Sequence, residues 1–267
     1  MTREASIIEL AAWLKTPPGR YLLAWEQARL DRAVVDLFGF HALQLGLPEL
    51  DGLAANRMPH RWLAQERAGP ASALAAQADA AGVAAAPRPA SLLCDFDALP
   101  FEAASLDLIV LPHALELADD PHQVLREVER VLRPEGRVVI LGLNPASLWG
   151  LRQNLGQLLH GQPHFLPQGG DFIGHRRLRD WLRLLSFEVE SAQFGCYSPP
   201  LCSEAWLKRW QGLERIGRHW WPVLGAVYFM VAVKRVRGMR LVGLARQSKR
   251  SPKAAPAVAL HQHHNKQ

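Results

Sequence analysis

The chain has 267 residues, 49% hydrophobic and 21% charged, a composition that excludes disorder throughout and suits one large α/β domain or two smaller ones. Residues 234–267 hold nine of the 31 Lys and Arg and none of the 25 Asp and Glu, so residues 1–233 are slightly acidic. The pI of about 9.6 therefore does not indicate a nucleic-acid-binding body. The three cysteines include no CxxC pair, which predicts a reducing compartment and no structural zinc. The sequence shows no signal-peptide pattern and no long apolar run, so a cytoplasmic protein is expected.

Two helices and a strand are predicted at the amino terminus. Residues 6–14 have apolar side chains at helical spacing, with Ser6 as the N-cap, and the Pro-Pro pair after them ends this helix. A second helix is expected over residues 21–37, so that residues 1–38 form a helical cover. The short apolar run at residues 40–47 lies between Gly and Pro and is typical of a buried strand.

The middle of the chain alternates strands with helices. An alanine-rich stretch within residues 71–86 predicts one helix, and a short strand is expected at residues 60–65. From residue 90 onward the alternation becomes regular, which predicts βαβ units in a mainly parallel sheet. The strands are expected at residues 91–96, 106–112 and 137–143, and the helix between the last two at residues 121–132.

Beyond residue 143 the pattern changes. Residues 144–174 are rich in Gly and Pro and predict an irregular insertion, either a lid over the substrate or a surface loop. A helix is expected at residues 203–220, where three Trp, followed by Trp221, accompany four Lys and Arg. We expect it to bury its tryptophans against the sheet, although basic aromatic helices also suit membranes or nucleic acid. The remaining predictions are a helix at 175–185, strands at 187–195 and 226–234, and a disordered basic tail at 241–267.

The most informative stretch is residues 94–145, CDFDALPFEAASLDLIVLPHALELADDPHQVLREVERVLRPEGRVVILGLNP. An acidic residue precedes Leu-Pro-Phe, and a Leu-Asp-Leu-Ile strand follows. Leu-Glu and Asp-Pro pairs then lead into an amphipathic helix that ends Val-Leu-Arg-Pro-Glu-Gly. In this order and spacing, the motifs resemble those of the class I S-adenosylmethionine-dependent methyltransferases of the type 11 sort.

The resemblance implies a fold and an activity. The fold is one α/β domain over residues 39–240, with a Rossmann-like, seven-stranded, mostly parallel sheet that carries helices on both faces. The cofactor is S-adenosylmethionine, and the activated methyl group passes to a small-molecule or lipid-like acceptor. A nicotinamide dehydrogenase is excluded because the chain lacks G-x-G-x-x-G. The alternative is a degenerate, non-catalytic relative that acts as a binding or regulatory module.

The resemblance also assigns residues at the carboxyl ends of the strands, where open α/β sheets bind ligands. Asp95 is expected to accept from the adenine amino group, and the backbone N–H of Phe96 to serve a ring nitrogen. Leu111 belongs to the strand end that faces the methyl donor. His113 follows it and is the candidate general base, since an imidazole titrates near neutral pH. A loop histidine that merely packs on its neighbours is the alternative.

The chain departs from the family in its glycine-rich loop. Only Gly46 stands in register with the usual glycines, Gln44 replaces the usual acid, and Pro48 removes a backbone N–H. Glu66 lies at the distance expected for the acid that binds the ribose. Arg20, in the helical cover, is a candidate partner for the cofactor's carboxylate.

Metals and partners complete the expectations. The histidines of the Gly/Pro-rich insertion, with His175, are spaced too irregularly to predict a metal site. Asp107 is expected to hold a turn locally rather than to bind a ligand. The tail is predicted to be dispensable for folding and to attract, at most, polyanions or anionic membrane weakly, without specific nucleic-acid binding.

Overall fold

The computed structural model describes residues 3–66, 90–158, 165–167, 172–200, 203–210 and 213–235. The predicted alanine-rich helix and the basic tail at 241–267 lie outside these residues. All of the described residues belong to one compact unit, Met1–Val236.

A seven-stranded sheet forms the centre of this unit, in the order β3-β2-β1-β4-β5-β7-β6. β1 to β5 are parallel, and β7 runs antiparallel between β5 and β6. The predicted α/β class and mostly parallel sheet are therefore confirmed. The strands are β1 (His41–Leu45), β2 (His60–Gln65), β3 (Leu92–Leu93), β4 (Leu106–Pro112), β5 (Leu132–Leu143), β6 (Phe187–Gly195) and β7 (Val227–Lys234).

The amino-terminal helices begin earlier than their sequence patterns suggested. α1 spans Arg3–Leu14, so Ser6 lies inside the helix and the predicted N-cap there is wrong. α2 spans Pro17–Val34 and starts on the Pro-Pro pair, with the Thr16 side chain accepting from the Gly19 N–H at 3.4 Å. Proline suits the first turn of a helix because the N–H it lacks has no helical partner there. The pair therefore starts α2 as well as ending α1.

The later helices begin at residue 121. α3 (Pro121–Val131) is capped by Asp120, which accepts from the N–H groups of His122 and Gln123. Residues 148–158 form a helix inside the segment predicted to lack compact elements, and this part of the prediction is wrong. The elements after α3 are α4 (Leu148–Leu158), α5 (His175–Leu184), α6 (Glu204–Arg209), α7 (Leu213–Trp220) and a 3₁₀ turn (Pro222–Leu224).

Alternating strand residues fill two cores, one on each face of the sheet. One face packs α3 and α5 against side chains such as Leu43 and Ile109. The other packs α2 against their neighbours, including Ala42 and Val110. No helix among the described residues is long and apolar enough to cross a membrane.

Asp107 connects the first strand to the fourth at the amino edge of the sheet. Its Oδ2 accepts from the backbone N–H groups of Phe40 at 2.8 Å and His41 at 3.0 Å. Its Oδ1 accepts from Arg133 at 3.1 Å. Asp107 is therefore structural, as predicted, but the prediction that it acts locally is wrong, because its partners lie 26 to 67 residues away in the chain.

Candidate functional site

A pocket opens at the carboxyl ends of the parallel strands, beside the position where the strand order reverses between β1 and β4. Its empty space, counting the part open to solvent, is about 480 Å³. The lining is mostly apolar, with Glu66 as its acidic residue. The lining residues are Ile7, Gly46, Leu47, Pro48, Gln65, Glu66, Phe96, Pro112, Ala114 and Leu117.

The structure brings three of the predicted cofactor residues to this pocket. Gly46, Glu66 and Phe96 line it, each one to three residues beyond the end of β1, β2 or β3. Asp95 is exposed immediately before Phe96, at the same strand end. The other two predictions lie elsewhere: Leu111 is fully buried in the core, and Arg20 is an exposed residue of α2 outside the lining.

Gly46 has a backbone conformation that favours glycine. Its φ is +76°, in the left-handed region, while its N–H donates to the Ala64 carbonyl at 2.8 Å. A Cβ at this position would lie 3.6 Å from the ring of Phe96 and would occupy space between the loop and that ring. Leu47 follows with φ of +46°, so the chain turns sharply at the mouth of the pocket.

Gln44, which replaces the acid expected at this position, holds the loop in place through hydrogen bonds from its side chain. Its side chain is fully buried, and its Nε2 donates to the carbonyls of Leu50 at 2.7 Å and Leu47 at 3.1 Å. Its Oε1 accepts from the Gly52 N–H at 2.8 Å. A carboxylate has no donors for these carbonyls, so an amide is the group that satisfies both sides of the loop.

His113 lies next to the pocket, but its side chain points away from it. The residue is 1% exposed and has φ of +54°, and its neighbours Pro112 and Ala114 line the pocket. Its Nδ1 lies 2.8 Å from Glu116 Oε2, and its Nε2 lies 2.9 Å from Glu26 Oε1 on α2. Both ring nitrogens are therefore engaged by carboxylates.

The charges of this buried cluster keep His113 protonated. Burial lowers its pKa, but the attraction and hydrogen bonds of Glu26 and Glu116 outweigh burial and raise it to about 10. Burial raises the pKa of Glu116 itself. An imidazolium with both N–H groups donated has no lone pair to accept a proton. The buried, protonated state does not fit the general-base role predicted for His113.

The cluster instead fixes the floor of the pocket. Glu116 also accepts from the Leu143 N–H at the end of β5, and His113 joins the end of β4 to α2 through Glu26. The close contact of Tyr228 with this region requires glycine at position 142, where a Cβ would lie 2.3 Å from the tyrosine hydroxyl. α2, β4 and β5 are thus held together directly behind Pro112 and Ala114.

A cluster of aromatic side chains packs between the amino-terminal helices and α4 at the carboxyl edge of the sheet. Trp149 of α4 meets the rings of Trp13 at 6.1 Å and Phe165 at 5.4 Å, and Trp13 Nε1 donates to the Phe165 carbonyl at 2.7 Å. Tyr21 of α2 contacts Trp149 and donates to Glu214 of α7. Sequence reasoning did not identify this cluster, because its members are far apart in the chain.

In the described part of the chain, no group of three or more His, Cys, Asp or Glu side chains is arranged so that it could hold a metal ion.

Several known proteins are similar to this chain in sequence. A family model described as a methyltransferase domain matches residues 58–140. The uncharacterized protein YafS of Escherichia coli (strain K12) is 31% identical over 253 residues, 95% of this chain and 92% of that protein. The demethylmenaquinone methyltransferase of Chlamydia pneumoniae is 41% identical over 51 residues, 19% of this chain and 22% of that protein.

Solved structures share the fold at low identity. A chain from the complex of the Haloferax volcanii Trm112 methyltransferase activator with a methyltransferase superposes with a TM-score of 0.54 at 17% identity, covering 86% of this chain and 97% of that one. An S-adenosylmethionine-dependent methyltransferase of Thermotoga maritima superposes with a TM-score of 0.52 at 14% identity, covering 80% of this chain and 92% of that one. At these identities the likeness concerns the fold alone.

Proposed function

Because this chain belongs to the class I S-adenosylmethionine-dependent methyltransferase family, we propose that it transfers a methyl group to a small-molecule or lipid-like acceptor. The observation that carries the proposal is the pocket at the carboxyl edge, where the ends of β1, β2, β3 and β4 supply the lining. S-adenosylmethionine, when bound, supplies a methyl group on a positively charged sulfur.

The residues present suit such a cofactor. Gly46 leaves a space beside Phe96 that a Cβ would fill, so a ligand can approach the backbone there. Glu66, at the end of β2, offers a carboxylate that accepts from ribose hydroxyls, and burial of that contact strengthens it. Phe96 offers an apolar surface to the adenine, with Asp95 beside it for the amino group.

The loop after β1 provides fewer donors than its relatives' glycine-rich loops. Pro48 has no N–H, and the Gly52 N–H is already donated to Gln44. Gln44 nevertheless holds the loop in a defined shape. We infer a preorganised site that binds its cofactor with fewer hydrogen bonds, mainly through Glu66 and apolar contact.

The lining also constrains the acceptor and the catalysis. Ile7 of α1 and Leu117 bring apolar side chains to the pocket, which favours an acceptor with apolar character. Glu66 is assigned to the cofactor, and His113 is protonated and turned away. The protein therefore contributes alignment and exclusion of water more than proton transfer. His113 is a positioning residue in this mechanism.

Calorimetry with S-adenosylmethionine and with its demethylated product tests the proposal. Wild-type protein should bind both, and Glu66→Ala should weaken binding by about 10-fold or more because buried hydroxyls lose a charged acceptor. Glu188→Ala, which changes a carboxylate 65% exposed, is the matched control and should bind as wild type. Wild-type protein that gives no heat at millimolar cofactor would contradict the proposal.

A second candidate function rests on the loop chemistry. Pro48 at a usual glycine position and the Gln44 replacement are the changes expected of a non-catalytic relative that keeps the fold as a binding or regulatory module. The calorimetric experiment separates the two functions, because the degenerate relative binds neither form of the cofactor.

A further inference from the structure

A group of large apolar side chains faces solvent on the helices that surround the carboxyl edge. We call it the tryptophan face. Its members are Trp206 (49% exposed), Trp210 (39%), Trp220 (71%), Trp221 (57%), Val223 (38%), Leu224 (39%) and, on α4, Leu148 (45%), Leu151 (53%) and Leu155 (48%). The prediction that the helix at 203–220 buries its tryptophans against the sheet is therefore wrong. Exposed apolar groups of this extent usually mark an interaction site.

Both parts of the tryptophan face lie at the pocket's edge of the sheet. α4 follows the end of β5, and the 3₁₀ turn precedes the start of β7, where Val227 pairs with Leu143. Asn144 Nδ2 donates to the carbonyls of Val223 at 2.7 Å and Gly225 at 2.9 Å. These bonds fix the apolar turn beside the beginning of the segment that leads into α4.

The helix α4 presents its apolar side outward. Leu148, Leu151 and Leu155 recur at spacings of three and four, which places them on one face. The opposite face buries Trp149 and the polar Gln153, whose Oε1 accepts from the N–H groups of Phe165 and Leu166. A helix in contact only with water has the reverse arrangement, with polar residues outside. The exposed leucines therefore suit a partner with an apolar surface.

The chemistry of the tryptophan face favours a lipid surface over another apolar protein. Tryptophan concentrates at membrane interfaces, where its ring lies among acyl chains and its N–H meets polar groups. The Arg209 guanidinium lies 5.7 Å from the Trp206 ring centre, so cation and indole are presented together.

The charge distribution specifies the kind of lipid. Residues 203–225 contain four Lys or Arg and two Glu. One of the two glutamates, Glu214, accepts hydrogen bonds from the Tyr21 hydroxyl and the Tyr197 N–H. Residues 1–233 as a whole contain 22 Lys or Arg against 25 Asp or Glu, a net charge of −3, whereas residues 203–225 have a net charge of +2. We propose that the tryptophan face docks on anionic membrane, with its indoles and leucines at the headgroup level.

Co-sedimentation of the full chain with vesicles tests this proposal. We expect binding to phosphatidylcholine vesicles that contain phosphatidylglycerol, and about tenfold or more weaker binding after Trp220→Ser combined with Trp221→Ser. Phe38→Ser is the matched control, because Phe38 is 79% exposed but precedes β1 at the opposite edge of the sheet. Its binding should equal that of wild type.

Two outcomes overturn the proposal. Equal vesicle binding by the double tryptophan variant and wild type would assign the attraction to the basic tail, which both retain. Loss of self-association in the double variant, measured by sedimentation velocity, together with no vesicle binding by wild type, would make the face an interface between two copies. Calorimetry with S-adenosylmethionine on the same variants keeps this result separate from the proposed function, since neither tryptophan lines the pocket.

Discussion

Replacing His113 with Asn is expected to destabilise the protein strongly at neutral pH and only weakly at high pH. Asn is the appropriate replacement because it tolerates the left-handed φ of +54° at this position. It removes the positive charge between Glu26 and Glu116, which are 0% and 5% exposed. Two carboxylates are then left facing each other without a cation. Breaking a buried ion pair in this way costs about 3–5 kcal/mol.

The pH dependence follows from the raised pKa of His113. A group whose pKa is higher in the folded protein stabilises it fully below the unfolded pKa of about 6.5, and that contribution disappears as the pH rises through about 10. Between pH 7 and pH 10 the free energy of unfolding of the wild-type protein should therefore fall by up to about 4 kcal/mol. The Asn variant lacks the imidazole and should not show this loss. The difference between the two proteins should shrink accordingly.

Urea unfolding followed by tryptophan fluorescence at several pH values measures this difference. Arg137→Gln is the control, because Arg137 pairs with Glu190 at 2.9 Å where both are about one-third exposed. Such a pair contributes about 0–1 kcal/mol, with little change over this pH range. Combining Glu26→Gln with His113→Asn removes one of the opposed charges and should restore part of the stability. Wild-type and Asn curves that run parallel from pH 7 to pH 10 would refute the ion-pair reasoning.

Three further predictions concern the loop and the tail. Gly46→Val should abolish cofactor binding in calorimetry, because the valine side chain enters the space beside Phe96. Gly46→Ala should cause a partial loss of binding. Unchanged affinity in both variants would show that the loop does not contact the cofactor. Gln44→Glu should lower the free energy of unfolding by about 2–4 kcal/mol, since the carbonyls of Gly46, Leu47 and Leu50 lose their donor. Gln193→Glu, at an exposed position, should be neutral in the same urea titration. Deleting residues 241–267 should move the melting temperature by no more than about 2 °C, because the segment has few apolar residues to bury, and a large drop in calorimetry would show that it contributes to the folded body.

Local patterns in the sequence determined much of the fold. In strands, apolar residues alternate with polar ones or form short continuous runs, and in helices they recur every three or four residues. These patterns predicted β1, β2, β4 and the helix α3 close to their observed bounds. The resemblance carried by residues 94–145 then implied a seven-stranded, mostly parallel sheet. The same resemblance assigned Gly46, Glu66 and Phe96 to the cofactor, and because parallel strands bring their carboxyl ends to one edge, the three lie beside one pocket.

The tertiary structure decided what each polar or aromatic side chain does there. His113 was a plausible base by position, but its partner Glu26 is 87 residues away on α2, and no local pattern reveals that contact or the protonation it imposes. The outward leucines of α4 have the same helical spacing as inward ones, so only packing shows which face meets water. Spacing determines which residues share a face or an edge; burial and long-range neighbours determine their charge and exposure, and these depend on the whole fold.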